Sequence, residues 1–183
     1  MPAVLIPTWH AEAFKVIWKC LTPSKVSAFV WQLLHDRIPT RVNLLRRRII
    51  DVNGDFSCPL CHDNSESSLH LFLYCDVALK VWAGVFDWLN LPFSLPHTLF
   101  SLLNYFTSSG CKGTRKGLCT VWNATVWALW RHRNSIVFEN GIINSAEVLE
   151  AIMVSSWKWW MSHSKSHPLL YEWRVNPKLC MLY

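Results

Sequence analysis

The chain has 183 residues, a length that accommodates one domain or two small ones. Hydrophobic residues make up 51% and charged residues only 16%, and 12 tryptophans supply a large aromatic area for a packed core or a docking surface. No run of about 18 apolar residues occurs, and the N-terminus lacks the basic region and long apolar stretch of a secretory signal. We therefore expect an intracellular protein that is neither secreted nor membrane-spanning.

The net charge of +6 is distributed unevenly along the chain. Residues 1–50 hold eight Lys or Arg against two acids, and residues 91–183 hold nine against four. Residues 51–90 hold one lysine against six acids. Two basic segments around an acidic one favour contact with phosphate backbones, although they do not require it.

Helical spacing of apolar residues predicts the first elements of the chain. A helix is expected over residues 9–19. A second one follows Thr22 and Pro23, which suit an N-cap and a first helical position. It is expected to end near Asp36, because Pro39 disfavours helical geometry in the residue before it.

A third helix is expected to begin after Thr40, a suitable N-cap, and to extend to Ile49. Its polar side carries four basic side chains, those of Arg41, Arg46, Arg47 and Arg48. Basic residues late in a helix complement its dipole. Alternatively, the arginines form a ridge that contacts phosphates, since a guanidinium binds phosphate in a bidentate manner. Both interpretations stay open at this point.

Three cysteines and a histidine follow in the pattern C-x2-C-x8-H-x4-C, formed by Cys58, Cys61, His70 and Cys75. Two cysteines two residues apart can reach one ion from a tight turn, and Zn²⁺ is usually held by four such ligands in a tetrahedron. His62 is a competing imidazole, but it follows Cys61 directly, which makes coordination by both awkward. The pattern therefore predicts one zinc ion held by the four residues.

Other interpretations of the thiols explain less. A redox pair at Cys58 and Cys61 would leave His70 and Cys75 without a role, and no βαβ pattern surrounds it. A disulfide is disfavoured in a reducing compartment, and ordinary burial of free thiols does not explain the spacing. The remaining cysteines show no ligand spacing and are expected to be core or incidental residues: Cys20, Cys111, Cys119 and Cys180.

Downstream of the motif, apolar spacing predicts four further helices. They are expected over residues 76–89, 97–106, 118–137 and 144–160, the last opened by Asn144 and Glu147 as a capping box. Ser, Gly and Lys residues predict a loop over 107–117, and residues 162–183 are expected to be irregular. The predicted fold class is mainly α: a helical domain with a small CCHC zinc-binding loop or hairpin insertion, followed by a helical C-terminal extension.

Two sets of residues carry a resemblance to a known family. The first comprises Trp18-Lys19, Pro23 to Val26, Phe29, Trp31, Leu34 to Thr40 and Leu44 to Arg48, and the second Cys58-Pro-Leu-Cys61, Glu66, His70 to Leu73, Cys75 and Trp82. Together they resemble the reverse transcriptase zinc-binding domain of plant LINE-type, non-LTR retroelement proteins. Further on, the segment 127–138, Trp173 and Asn176-Pro177 resemble the connector that precedes RNase H in such proteins. We accordingly expect a zinc-binding domain over 1–92, a loop-rich connector over 93–117 and a helical extension over 118–183.

The resemblance implies a function as well as a ligand set. Its metal ligands carry over to Cys58, Cys61, His70 and Cys75, and four protein ligands leave no open position, so the zinc is expected to be structural. The family lies beside a polymerase and often an RNase H domain and engages nucleic acid. We expect a nucleic-acid-binding module, with RNA as the first ligand and DNA as the alternative, located in the cell and compatible with the nucleus. Glu66 is expected to order the metal loop or to contact a metal ligand.

Catalysis is not expected from this chain. It contains no Asp-Asp pair for a polymerase and no convincing set of four carboxylates for RNase H chemistry. Two alternatives to nucleic-acid binding remain. Abundant Trp and low charge suit a module that packs on polymerase or RNase H domains, and a retroelement fragment can also be a relic without a function.

Overall fold

A computed structural model describes residues 8–108, 110–163 and 167–182, with side chains from Phe14 onward. The described residues form helices and loops without a β-strand, which confirms the predicted mainly α class. The helices are α1 (Thr8–Lys19), α2 (Ser24–Leu34), α3 (Arg41–Arg46), α4 (Asp76–Trp88), α5 (Leu99–Ser108), α6 (Lys112–Phe138), α7 (Ser145–Met161), α8 (Leu170–Val175) and α9 (Pro177–Cys180). A π-helical turn, His70–Tyr74, precedes α4. None of the described helices combines the length and apolar character that crossing a bilayer requires.

Helix α6 is the central element of the fold. It has 27 residues, a length of about 40 Å, and every residue from Gly117 to Val126 is buried. A helix buried on all sides must be surrounded by other elements. Helices α1, α2, α4, α5 and α7 all pack against it. Helices before and after the domain boundaries predicted at residues 92 and 117 thus pack in one core. The boundaries themselves stay a prediction.

The predicted loop over 107–117 is wrong, because α6 begins at Lys112. The misleading residues were Gly113 and Gly117, which lie inside the helix. A Cβ atom at Gly113 would overlap the backbone oxygen of Met181, and one at Gly117 would overlap the Met181 side chain. The glycines therefore allow the C-terminal segment to approach the helix backbone closely and do not mark a turn.

Two other predicted boundaries differ from the structure. The third helix ends at Arg46, because Arg48 adopts a left-handed conformation with φ of 58° and turns the chain before Ile49. The tail is not irregular throughout, since it contains α8 and α9. Trp173 of α8 is fully buried and donates from Nε1 to Ser156 Oγ of α7 at 3.1 Å. Burial of this large side chain fixes the tail against the core.

The junction between α6 and α7 contains the predicted N-cap. The Asn144 side chain accepts hydrogen bonds from the backbone N–H groups of Ala146 and Glu147. The reciprocal bond of a capping box is absent among the described contacts, because Asn144 N donates to His132 Nε2 at 3.4 Å instead. His132 thus links the end of α6 to the start of α7.

A disulfide joins Cys20 to Cys119. Both were expected to be core or incidental residues: Cys119 is buried and Cys20 packs against the core, but their covalent pairing was not predicted. The bond connects the end of α1 to the buried part of α6, across 99 positions in the sequence. A cross-link between residues so far apart is not visible in any local spacing, because neither cysteine has a neighbouring partner in sequence.

Candidate metal centre

The first two candidate ligands lie in a short hairpin-like loop. Backbone bonds from Cys58 N to Asn64 O and from Glu66 N to Phe56 O, both 2.7 Å, hold its two sides together. At its tip, His62 N donates to Cys58 O at 2.8 Å, and His62 has a positive φ of 62°. This tight turn directs the side chains of Cys58 and Cys61 to the same side. It also explains why His62, beyond the turn and exposed, is not part of the cluster.

The other two candidate ligands lie at the two ends of the π-helical turn. Cys75 N donates to His70 O at 2.7 Å, an i to i+5 bond that closes this wider turn between the two residues. The intervening Leu71, Phe72 and Leu73 are fully buried, and Trp82 Nε1 donates to Phe72 O at 2.7 Å. The apolar side of the turn thus anchors in the core, while its two ends face the loop.

The four candidate ligands converge on one point. One ligand atom from each of Cys58, Cys61, His70 and Cys75 lies within 4.8 Å of the others. Cys58 Sγ and Cys75 Sγ are 3.9 Å apart, and Cys61 Sγ lies 3.2 Å from His70 Nε2. A tetrahedral zinc site with Zn–S bonds of about 2.3 Å separates two sulfur atoms by about 3.8 Å. The spacing therefore suits a shared ion and is too long for a disulfide, whose S–S bond is about 2.05 Å.

The protonation of Cys75 and His70 also suits a metal ligand set, whereas Cys58 would have to lose its proton on binding the ion. The hydrogen bond from Cys58 Sγ lowers the pKa of Cys75, and the same bond together with burial raises the pKa of Cys58. Burial lowers the pKa of His70, which favours the neutral imidazole that ligates metals. Three thiols and an imidazole are a donor set typical of structural zinc. The residues present therefore fit the ion, although ligation by each of them stays a prediction.

Glu66, from the last part of the loop, forms a buried ion pair with α6. Its carboxylate accepts from Arg133 Nε at 2.6 Å and from a second guanidinium nitrogen at 2.8 Å. It also accepts from the backbone N–H of Arg41 at 2.9 Å, at the first residue of α3. Glu66 is fully buried, and Arg133 is 4% exposed. The expected role of Glu66 in ordering the loop thus has a specific basis: it fastens the loop to α3 and α6.

Asp36 fastens the other side of the loop. Its carboxylate accepts from Ser68 Oγ at 2.6 Å, from the Asn43 side chain at 2.9 Å and from Arg46 at 2.9 Å. These hydrogen bonds lower the pKa of Asp36 against the opposing effect of burial, which is the largest single contribution. The residue therefore ties the end of α2, helix α3 and the segment before His70 into one unit.

The four predicted nucleic-acid-binding arginines do not form one helical ridge. Arg41 is half-buried, donates to Ser57 O at 2.9 Å and forms an ion pair with Asp55, so its side chain supports the metal loop. Arg46, Arg47 and Arg48 are exposed. Arg47 donates to Arg37 O at 2.6 Å, which brings a further exposed arginine beside them. We call Arg37, Arg46, Arg47 and Arg48 the arginine patch.

Sequence reasoning missed three residues that shape the site. They are Arg133, Asp36 and Arg37. Glu66 lies in a polar stretch of the sequence, so its burial could not be foreseen, although a buried carboxylate requires a cation to compensate it. Which of 18 Lys and Arg residues does so cannot be read from spacing, because Arg133 is 67 positions away.

Comparisons with known proteins agree with this site. Residues 6–82 match the family described as zinc-binding in reverse transcriptase. A putative ribonuclease H protein of Arabidopsis thaliana is 26% identical over 130 residues, which covers 70% of this chain and 20% of that protein. The chain thus spans about a fifth of this relative, and no solved structure matches it. The resemblance of the first part of the chain to reverse transcriptase zinc-binding domains is confirmed, since the match over residues 6–82 includes the Cys58–Cys75 cluster.

Proposed function

We propose that this protein binds single-stranded nucleic acid, RNA first and DNA as the alternative, through the arginine patch beside the zinc loop. The observation that carries this proposal is the exposure of four guanidinium groups on one small surface formed by the end of α2 and the turn after α3. Among the described residues, Asp36 forms an ion pair with Arg46 of this patch, and its carboxylate accepts three hydrogen bonds in all. The patch therefore keeps a net positive charge that phosphates can neutralise.

An aromatic surface next to the patch supports unpaired bases as the ligand. The guanidinium of Arg37 lies 5.6 Å from the Trp31 ring centre. Trp31 is half-buried and packs edge-on against His35, whose ring stacks on Phe14 at 4.6 Å. Aromatic side chains beside a basic groove bind single strands with little sequence preference, because every base has a face that can stack.

The zinc ion is proposed to act on this surface indirectly. Cys58, Cys61, His70 and Cys75 would hold one ion and leave it no open position, so its contribution is folding energy for the loop. The ordered loop places Ser68 against Asp36 and Glu66 against the first turn of α3. Loss of zinc should therefore weaken nucleic-acid binding by disordering the base of the arginine patch.

We further propose that the chain has no polymerase or RNase H activity. Among the described residues, one group of three or more potential metal ligands lies close together, and it is the Cys/His cluster. This group includes no carboxylate. Both activities need clustered acids that hold Mg²⁺. Magnesium-dependent primer extension, or cleavage of an RNA–DNA hybrid, by the purified zinc-loaded protein would contradict this proposal.

Fluorescence anisotropy with labelled oligonucleotides tests nucleic-acid binding. The zinc-loaded protein should bind single-stranded RNA and DNA of one sequence, and affinity should fall steeply with salt. The R47Q/R48Q double variant should reduce the salt slope by about 1.4, since each phosphate contact on a single strand contributes about 0.7.

The matched control for that variant is K80Q/K158Q, which removes the same charge from exposed lysines of α4 and α7. It should keep the wild-type slope, apart from a small change due to net charge. The proposal is wrong if the folded, zinc-loaded protein does not bind at low salt, or if both double variants lose affinity equally.

A second candidate function is docking onto another domain of a longer protein. Helices α8 and α9 border an apolar groove of about 440 Å³, and Tyr171, Val175 and Leu179 beside it are more than half exposed. Since the relative that matches is named as a ribonuclease H protein, an RNase H domain is the first partner to test. Co-expression of this chain with an RNase H domain should give a complex, and the L179S variant should disrupt it. A monodisperse chain that forms no complex with such a domain would exclude this function.

A further inference from the structure

A second basic surface lies on the other side of α1, between the end of α1 and the beginning of α6. Lys19 lines one wall of a groove of about 310 Å³, and Lys112, Arg115 and Lys116 line the other. All four are exposed, and the lining that the structure describes contains no acidic residue. Within the described residues, none of these four side chains has a hydrogen bond or an ion pair. The sequence did not indicate this surface, because residues 107–117 resembled a loop.

The position of these cations on α6 is unfavourable for the helix itself. Lys112, Arg115 and Lys116 occupy the first two turns, where the helix dipole repels positive charge, and the first turn contains no acid. A purely structural surface would gain stability from acidic residues at these positions. A cluster that the fold does not need, and that no acid of the described chain neutralises, indicates an anionic ligand from outside.

The disulfide holds the two walls of the groove together. Cys20 follows Lys19 directly, Cys119 lies one helical turn after Arg115, and both cysteines line the groove. The bond thus fixes the distance between the cations of α1 and those of α6. Fixed spacing lowers the entropy cost of binding a ligand that carries several charges.

Helix α1 connects this groove to the arginine patch. Phe14 stacks on His35, next to Trp31 and Arg37. Trp18 lies one turn further along the same side of α1 and is 56% exposed, immediately before Lys19. Lys19 lies about 7.5 Å further along the helix axis than Phe14 and about 140° around it, so a strand that contacts both would pass around the exposed side of α1 at Trp18. Aromatic and basic side chains therefore follow one another from the patch to the groove.

We infer that Lys19, Lys112, Arg115 and Lys116 form a second phosphate-binding site, which takes the backbone of the same single strand that the arginine patch contacts. This inference rests on the proposed function and extends it. Trp18 supplies a stacking surface for an unpaired base between the two sites, as aromatic side chains do in other proteins that bind single-stranded nucleic acid. The protein would thus bind a longer strand along α1.

The test uses three double variants that each remove two positive charges: K19Q/K116Q in the groove, R47Q/R48Q in the patch and K80Q/K158Q as control. Each is titrated by anisotropy with a five-nucleotide and a fifteen-nucleotide single strand over a range of salt. For the long strand, K19Q/K116Q should lower affinity about 25-fold at 0.1 M salt relative to the control, which is the effect of two lost phosphate contacts. Its salt slope should fall by about 1.4.

A stability measurement separates binding from folding. Because Lys116 lies near the positive end of the helix dipole, K19Q/K116Q should unfold at the wild-type temperature or slightly above it, while its affinity falls. W18S should lower affinity for the long strand without changing the salt slope, since a stacking contact releases no counterion.

The possible failures are distinguishable. No binding by the wild-type protein would overturn the proposed function itself. Binding that R47Q/R48Q weakens, and that K19Q/K116Q leaves equal to the control, would overturn the second site and retain the patch. A K19Q/K116Q variant that unfolds well below the wild-type temperature would show that the fold needs these lysines, and would therefore also overturn the second site.

Discussion

Arg133 and Glu66 form a buried, two-pronged ion pair between the central helix and the metal loop, with N–O distances of 2.6 and 2.8 Å. The guanidinium also lies over the Trp130 ring, 5.1 Å from its centre. The pair connects two parts of the chain that sequence comparison treats differently, because Glu66 lies inside the family match at 6–82 and Arg133 lies outside it. The metal loop therefore depends on a residue of the extension.

Removing one partner of this pair should be strongly destabilising. Arg133→Met leaves the carboxylate of Glu66 buried with one backbone donor, that of Arg41, and should cost about 3–5 kcal/mol. Arg131→Met, an exposed change on the same helix, should cost less than about 0.5 kcal/mol. Urea unfolding of both variants with zinc present measures the difference. Equal free energies of unfolding would show that the pair contributes nothing.

Zinc binding should be stoichiometric and should depend on the four clustered residues. Native mass spectrometry should find one zinc per chain in the wild-type protein and none in Cys75→Ser, with loss of helical signal on chelation. Cys111→Ser changes an exposed cysteine outside the cluster and should keep the ion. A well-folded wild-type protein without zinc would show that the cluster does not need the metal and that the ligand assignment is wrong.

His132 should make the α6–α7 junction sensitive to acid. Burial lowers its pKa below the usual 6.5, so in acid the unfolded state binds a proton before the folded state does. Its contribution to stability is therefore complete above about pH 6.5 and is lost as the pH falls through the lowered pKa. Protonation also removes the acceptor for Asn144 N.

Hydrogen exchange at the start of α7 measures this effect between pH 7.5 and 5. In the wild-type protein, protection of Ala146 and Glu147 should fall as the pH decreases, after correction for the intrinsic exchange rate. In His132→Gln, whose amide accepts a bond without titrating, protection should stay constant. A parallel decrease in both proteins would assign the pH dependence to other groups, such as the metal ligands.

The disulfide should contribute several kcal/mol. Closing a loop of about 100 residues corresponds to about 4–5 kcal/mol in the chain-entropy description, so Cys119→Ala should destabilise by about that amount. Denatured, metal-free protein should show five free thiols without reductant. A count of seven would show that the bond does not form in the purified protein.

Replacing Gly113 or Gly117 of α6 by alanine should destabilise the protein, although alanine is normally preferred over glycine in a helix. Gly→Ala inside a helix normally stabilises by about 1 kcal/mol. Here Gly113→Ala should destabilise by about 1–3 kcal/mol, because the new Cβ overlaps the backbone of Met181. Gly117→Ala overlaps a side chain, so the further change Met181→Ala should relieve it. A stabilised Gly113→Ala would mean that the tail does not pack there.

The sequence predicts those features that depend on local order, and it fails where distant residues meet. Apolar periodicity anticipated α2, α4, α5 and α7, and the thiol spacing anticipated which side chains cluster between Cys58 and Cys75. The start of α6 was missed because Gly113 suggested a turn. The structure shows that glycine is needed there because the backbone of Met181, 68 positions later, packs against it. The helices of the tail were missed because they depend on the packing of Trp173 against α7.

The central position of α6 means that the unit recognised by homology differs from the unit that folds. A fragment restricted to 6–82 would expose the sides of α2 and α4 that pack on α6, and it would leave Glu66 without Arg133. Such a fragment is expected to aggregate even with zinc present, since the ion closes only the loop. In this chain, the segment matched by the family therefore relies on α6 for both an apolar face and one arginine.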